Sequence, residues 1–199
     1  ASDAAYLAES TAAFDRAAML YRLAIACRPQ DWVLKRKAGD VLVLAGRSAE
    51  GGPLLLAAAE QAPAATAARL RRSAAESFLT CGQLAFGLEI LRPLLAELGL
   101  PYPESEAVAL GLLDAEFAAL VSRGTRFVER SEHDLASRDK LVFDACWCAG
   151  KGLLVSDPAR GAYYVLRSAQ LALDAGEPQR IVRSLALAAA IAANRQAPE

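Results

Sequence analysis

Histidine is almost missing from the chain: His133 is the only one among 199 residues. A zinc site would therefore have to be assembled from the four scattered cysteines, Cys27, Cys81, Cys146 and Cys148, which follow no ribbon or disulfide spacing. Buried, reduced structural thiols are expected instead. Strand-forming clusters are scarce as well. The nearest, Val41-Leu42-Val43-Leu44, is short and sits inside a helical pattern. No uncharged apolar run is long enough to span a bilayer, and the first residues carry no basic start followed by an apolar core. A cytoplasmic protein without a membrane segment or signal peptide is expected. The net charge of −1 gives no electrostatic reason for nucleic acid. The basic clusters Lys35-Arg36-Lys37 and Arg69-Leu70-Arg71-Arg72 lack interleaved aromatics and read as solvated helix faces.

Catalytic signatures are missing too. A kinase needs a His-Arg-Asp loop and an Asp-Phe-Gly metal site; His133 is followed by Asp134-Leu135, and no Asp-Phe-Gly occurs. The one Gly-Lys pair, Gly150-Lys151, is followed by Gly152, and Ala145 stands where a phosphate-binding loop needs its first glycine. His133 lies between Glu132 and Asp134, which could raise its pKa, but no nucleophile is placed beside it. Cys146-Trp147-Cys148 reads as a helix turning its aromatic inward rather than a redox pair. Asp157 and Arg160 read as a cap and an i,i+3 ion pair. No catalytic residue, metal ligand or cofactor is expected.

What the chain does have is alanine, in a sequence that is 54% hydrophobic, and a period. Alanine is the strongest helix former and lets helices approach closely. Ala17, Tyr21, Ala24 and Pro29 recur 34 residues later as Gly51, Leu55, Ala58 and Pro63. Small, large and small residues at offsets of four and three share one helix face, and the proline marks the end of the unit. A third copy follows after two extra residues: Gly82 answers Gly46, Gly87 answers Gly51, and Leu91 and Leu94 answer Leu55 and Ala58. The insertion is expected in the connection Pro63-Ala64-Ala65, because loops absorb length cheaply.

This pattern resembles the tetratricopeptide repeat. The resemblance is good over residues 1–99 and departs from the family at the usual tryptophan position, where the second copy has Lys35. It implies an all-α fold: a right-handed superhelical stack of antiparallel helix hairpins, an alpha-alpha solenoid with no sheet. Three hairpins are expected at about 1–31, 32–65 and 66–99, followed by irregular helical hairpins over 100–199. Since the family turns the first helix of each hairpin to its concave side, Val33, Arg36, Asp40, Val43 and Leu44 would line a groove. Paired asparagines that grip a peptide carboxylate are missing; Asn194 is the only asparagine.

In the second half a helix is expected from Glu104 to about Arg123, a mixed-charge connection over Thr125–Ala136, and a helix from Ser137 to Val155. Another begins at Asp157-Pro158 and stops at Gly176, and the last starts at Glu177-Pro178. Within that last helix, residues 181–193 are apolar nearly all round. Such a helix suits burial by a following unit, so the chain is expected to be cut from a longer array and to self-associate through 181–193.

The stretches Phe14–Ala24, Ser156–Ala162, Cys146-Trp147 and Leu173–Arg180 are also similar to the helical region of large bacterial serine/threonine kinase–AAA ATPase–tetratricopeptide proteins. Departures are Val128 and Ser156-Asp157-Pro158, where that group often has threonine after the aspartate. This resemblance implies a non-catalytic protein-interaction and regulatory segment of a multidomain signalling protein. The parent would be the ATP-dependent kinase; the partners would be a protein or peptide, including other domains of that parent. The alternative is the ligand- or partner-sensing arm of an ATP-dependent bacterial transcription activator.

Overall fold

The computed structural model describes residues 2–196. Ten α-helices and one 3-10 turn account for the ordered backbone, and no strand occurs among the described residues. The helices are α1 (Ser2–Ser10), α2 (Phe14–Cys27), α3 (Trp32–Leu44), α4 (Ser48–Ala59), α5 (Ala64–Thr80), α6 (Leu84–Glu97), α7 (Glu106–Arg123), α8 (Ser137–Leu153), α9 (Pro158–Ala175) and α10 (Pro178–Gln196). They form two compact units, residues 1–94 and 95–199.

In the first unit the 34-residue period corresponds to one recurring turn. Ala12, Gly46 and Gly82 take positive φ values of 56°, 76° and 80°. Behind each, the next N–H closes the same ring: Ala13 donates to Ala8, Arg47 to Leu42 and Gln83 to Phe78, each at 2.8 Å. This is the Schellman arrangement, which satisfies the last carbonyls of one helix and reverses the chain into the next. The helices it joins run antiparallel. Gly39 of α3 lies against Leu55 of α4, while Val43, one turn further along α3, lies against Gly51.

The periodic positions are the packed ones. Ala17, Gly51 and Gly87 are buried, as are Tyr21, Leu55 and Leu91, and Ala24, Ala58 and Leu94. The small residue lets the crossing helix in close, and the large one fills the space beyond it. Side by side, α2 and α4 are also linked by Arg47 to Asp15 at 3.1 Å and Arg22 to Glu50 at 2.6 Å. These pairs are exposed and contribute little. The two extra residues of the third copy do not lengthen a loop. Residues 28–31 and 60–63 are connections of equal length, and α5 is extended instead, from Ala64 with Pro63 as the flanking residue. An added turn of helix keeps its backbone hydrogen bonds, which a longer loop would not.

The second unit is built round α9. Eleven of its eighteen residues are buried and its polar side chains, Arg160, Arg167, Gln170 and Asp174, fall on one narrow stripe, so it serves as the core helix. It packs against α7, α8 and α10. Asp157 caps its start by accepting from the Arg160 N–H, and Gly176 ends it with φ 77°. Gly150 of α8 and Gly161 of α9 bring the two helices together, with no room for a Cβ at either. The buried residues beside Trp147 are the thiols. Cys146 and Cys148 face the core, Cys146 donates to the Tyr164 carbonyl at 3.3 Å, and Trp147 is only half-buried, under the Arg183 guanidinium. The aromatic does pack against the buried cluster of Phe143, Ala172, Leu173 and Ile181, while the two small thiols take the fully buried positions at the close α8–α9 approach. Cys27 and Cys81 are exposed, so burial describes only two of the four thiols.

In α10, Ile181, Ser184 and Ala188 form a buried stripe, and Leu185 packs against the cluster of Phe143, Ala172, Leu173 and Ile181. Val182, Ala186, Ala189 and Ala190 face outward.

Candidate functional site

Among the first helices of the hairpins, α1, α3 and α5, the residues singled out from the sequence lie on α3. On α3 the inner side is Leu34, Ala38, Val41 and Leu42, all buried. The opposite stripe is Val33, Arg36, Asp40, Val43 and Leu44, at the three- and four-residue spacing of one helix face. Val33, Val43 and Leu44 are exposed, Leu44 at 60%, while Arg36 and Asp40 are half-buried between them.

Around that stripe lies a network that the sequence reading did not single out. Tyr21 Oη donates to Glu9 Oε2 at 2.6 Å, and Lys37 Nζ lies 3.5 Å from the same carboxylate oxygen and 3.4 Å from Tyr21 Oη. The Lys37 ammonium also sits 5.1 Å from the centre of the exposed Tyr6 ring. Burial, reinforced by the hydrogen bond to Glu9, pushes the Tyr21 phenol well above its ordinary value. Tyr21 therefore remains a neutral donor. The periodicity marked it as a core filler; its hydroxyl reaching a carboxylate on another helix has no sequence signature.

Arg36 and Asp40 behave differently. They are one turn apart on α3, yet no hydrogen bond or close ion pair joins them, and Asp40 feels Arg36, Lys37 and Arg72 only through space. Arg36 Nε is shielded from water with nothing to donate to. Burial raises the Asp40 pKa, offset in part by Arg36, Lys37 and Arg72 and reinforced by Glu9. A half-buried donor and acceptor left open side by side, between exposed aliphatic residues, are suited to the amides and side chains of another polypeptide.

The other sequence candidates have structural roles. His133 is exposed in the 3-10 turn Glu132–Asp134, where Ser131 Oγ accepts its N–H and the Asp134 carboxylate accepts the Ser131 N–H. The carboxylate beside it is thus a cap. Gly150-Lys151-Gly152 lies inside α8 rather than in a loop. Asp157 and Arg160 form the expected cap and ion pair, 2.5 Å apart, and Arg160 Nε also donates to the Pro103 carbonyl at 2.8 Å. No group of three or more histidine, cysteine or acidic residues that could hold a metal occurs among the described residues. No helix among them is long and apolar enough to cross a membrane.

Comparison of the chain with protein-family models, curated proteins and solved structures finds no match.

Proposed function

We propose that the chain is a non-catalytic protein-interaction segment whose first unit stacks tetratricopeptide-like hairpins and presents the α1–α3–α5 face to a polypeptide partner. The observation that carries this reading is the half-buried Arg36 and Asp40, with Arg36 Nε left without an acceptor, flanked by exposed Val33, Val43 and Leu44. Recurrence of the Schellman turn at Ala12, Gly46 and Gly82 supports the repeat arrangement. The parent on this reading is a bacterial signalling protein of the kinase–ATPase kind. Support for that parent comes from the stretches Phe14–Ala24, Cys146-Trp147, Ser156–Ala162 and Leu173–Arg180.

Selection from a random peptide library displayed on phage tests the interaction. Selected peptides should bind the full chain in the micromolar range, roughly −8 kcal/mol. Affinity should fall tenfold or more in Arg36→Ala, Asp40→Ala and Leu44→Asp, with the helical circular dichroism unchanged. Peptides indifferent to all three substitutions would place the interaction elsewhere.

A further inference from the structure

The 125–131 segment of the second unit is fixed against the C-terminal turn of α9. Gly124 ends α7 with φ 70°. Six residues later in the connection, the Arg130 N–H donates to the Gly176 carbonyl at 2.9 Å. A Cβ on Gly176 would collide with the Val128 carbonyl oxygen, so both its φ and this close approach require glycine. The segment is thereby held as the wall of an open cleft of about 340 Å³.

Three arginines, Arg123, Arg126 and Arg130, line that cleft with Phe127, Leu173 and one carboxylate, Asp174. Arg123 takes Asp174 at 2.5 Å. Arg126 and Arg130 have no side-chain partner among the described residues. They are not needed as caps: Gly176 N–H already closes on the Ala172 carbonyl, and the Arg130 backbone takes the Gly176 carbonyl. Glu129, the acidic residue of the segment, does not line the cleft. A second cavity of about 200 Å³ shares Arg130 and Asp174 and is lined by Leu135, Asp139, Val142, Leu171 and Ala175.

We infer that these adjoining cavities bind an organic monocarboxylate with a short apolar group. The carboxylate is held by the free guanidinium forks of Arg126 and Arg130, and the apolar group enters between Leu135, Val142 and Leu171. Arginine forks match a carboxylate in a bidentate fashion. Asp174 and Asp139 beside the path oppose a dianion more than a monoanion, which selects a carboxylate over a phosphate ester. The combined volume falls in the range of small-molecule sites. Such a carboxylate belongs either to a small free acid or to the last residue of a polypeptide. The site lies wholly in the second unit and does not depend on the α1–α3–α5 face.

The test is titration of the full chain with three probes: N-acetyl-L-leucine, its amide, and a pentapeptide ending in leucine with a free carboxylate. Calorimetry or NMR should give saturable binding of the acid or the peptide with Kd at or below roughly 1 mM. The amide should not bind, and affinity should weaken with salt. The double substitution Arg126→Ala, Arg130→Ala should reduce binding at least tenfold; both side chains are exposed, so the fold is retained. Arg126→Lys, which keeps charge and loses the fork, should show an intermediate loss. Tighter binding of the pentapeptide identifies a polypeptide terminus, and equal or tighter binding of the acid identifies a free metabolite; either supports the site. No saturation by any probe, equal binding of the amide, preference for inorganic phosphate, or indifference to the arginine substitutions would overturn it.

Discussion

Gly51 and Gly39 meet backbone to backbone where α4 crosses α3. A Cβ on Gly51 would lie 2.8 Å from the Gly39 carbonyl oxygen, and one on Gly39 would lie 2.7 Å from Leu55 Cγ. The first obstacle is main chain and cannot swing aside. Gly51→Leu should therefore overpack the crossing and destabilise the protein by roughly 1–3 kcal/mol. Gly51→Ala should lose less, because better helix propensity offsets part of the clash. Both are read as shifts of the urea midpoint, and an unshifted Gly51→Leu would mean that the repeat register is misplaced.

Ala12 occupies the position that glycine holds in the next two hairpins. Its φ of 56° is the only positive value at a non-glycine among the described residues. An L-residue with a Cβ is strained there by about 1–2 kcal/mol. Ala12→Gly removes that strain but gives the unfolded chain more freedom. The expected outcome is a net gain of about 0.5–1 kcal/mol, with the reverse for Gly46→Ala. Denaturation of the two variants in parallel checks the sign of each.

The buried crossing positions were legible because they are written in side-chain size. The series Ala17, Gly51, Gly87 and the series Tyr21, Leu55, Leu91 carry their own explanation, and Gly46 and Gly82 announce the turns. The same turn at Ala12 was not legible, since alanine there contradicts its own local preference and is imposed by the chain around it. The polar surroundings of α3 were legible only in part. Arg36 and Asp40 could be placed on one face because they share α3 with Val33 and Val43. Glu9 and Tyr21 meet across twelve residues of chain, and no local pattern records that. The basic cleft was missed for another reason: Arg123, Arg126 and Arg130 lie in and beside a mixed-charge connection. Only the docking of Val128 on Gly176 turns them towards one space.

Glu177 begins α10 with both carboxylate oxygens engaged. Oε1 accepts from the Gln179 N–H at 3.0 Å, and Oε2 accepts from the Arg180 N–H at 2.9 Å and from Arg180 Nη1 at 3.3 Å. Burial alone would raise its pKa; the two backbone donors and the guanidinium outweigh that and hold it below the ordinary glutamate value. A lowered folded pKa means that the unfolded chain binds the proton first. The stabilisation is full above the ordinary value of about 4.3 and is lost as pH falls through the folded one. Glu177→Gln should cost about 1–3 kcal/mol at neutral pH. The gap to the parent protein should close on acidification, and a gap independent of pH down to acid denaturation would contradict this assignment.

Tyr164 is fully buried, yet its hydroxyl is committed to the chain that enters the second unit. The phenol donates to the Pro101 carbonyl at 2.8 Å, and one helical turn earlier Arg160 Nε donates to the Pro103 carbonyl at 2.8 Å. Prolines have no N–H, so the Leu100-Pro101-Tyr102-Pro103 segment cannot join a helix or sheet, and these carbonyls depend on side-chain donors or water. Burial also pushes the Tyr164 phenol well above its ordinary pKa, which keeps the donor protonated across the working pH range. Tyr164→Phe keeps the ring that fills the core and removes only the donor, leaving the Pro101 carbonyl without it. The expected loss is about 1–2 kcal/mol. Arg160→Ala removes the second tie together with the ion pair to Asp157 and the stacking of the guanidinium over Tyr102, 5.3 Å from its ring centre. Because both side chains hold one segment, the double variant should lose less than the sum of the single losses or release the segment altogether. Hydrogen exchange at Leu100 and Tyr102 distinguishes the two. Fast exchange in Tyr164→Phe alone identifies the phenol as the tie that holds the connector, and unchanged protection in both single variants would show that packing around Leu100 holds it instead.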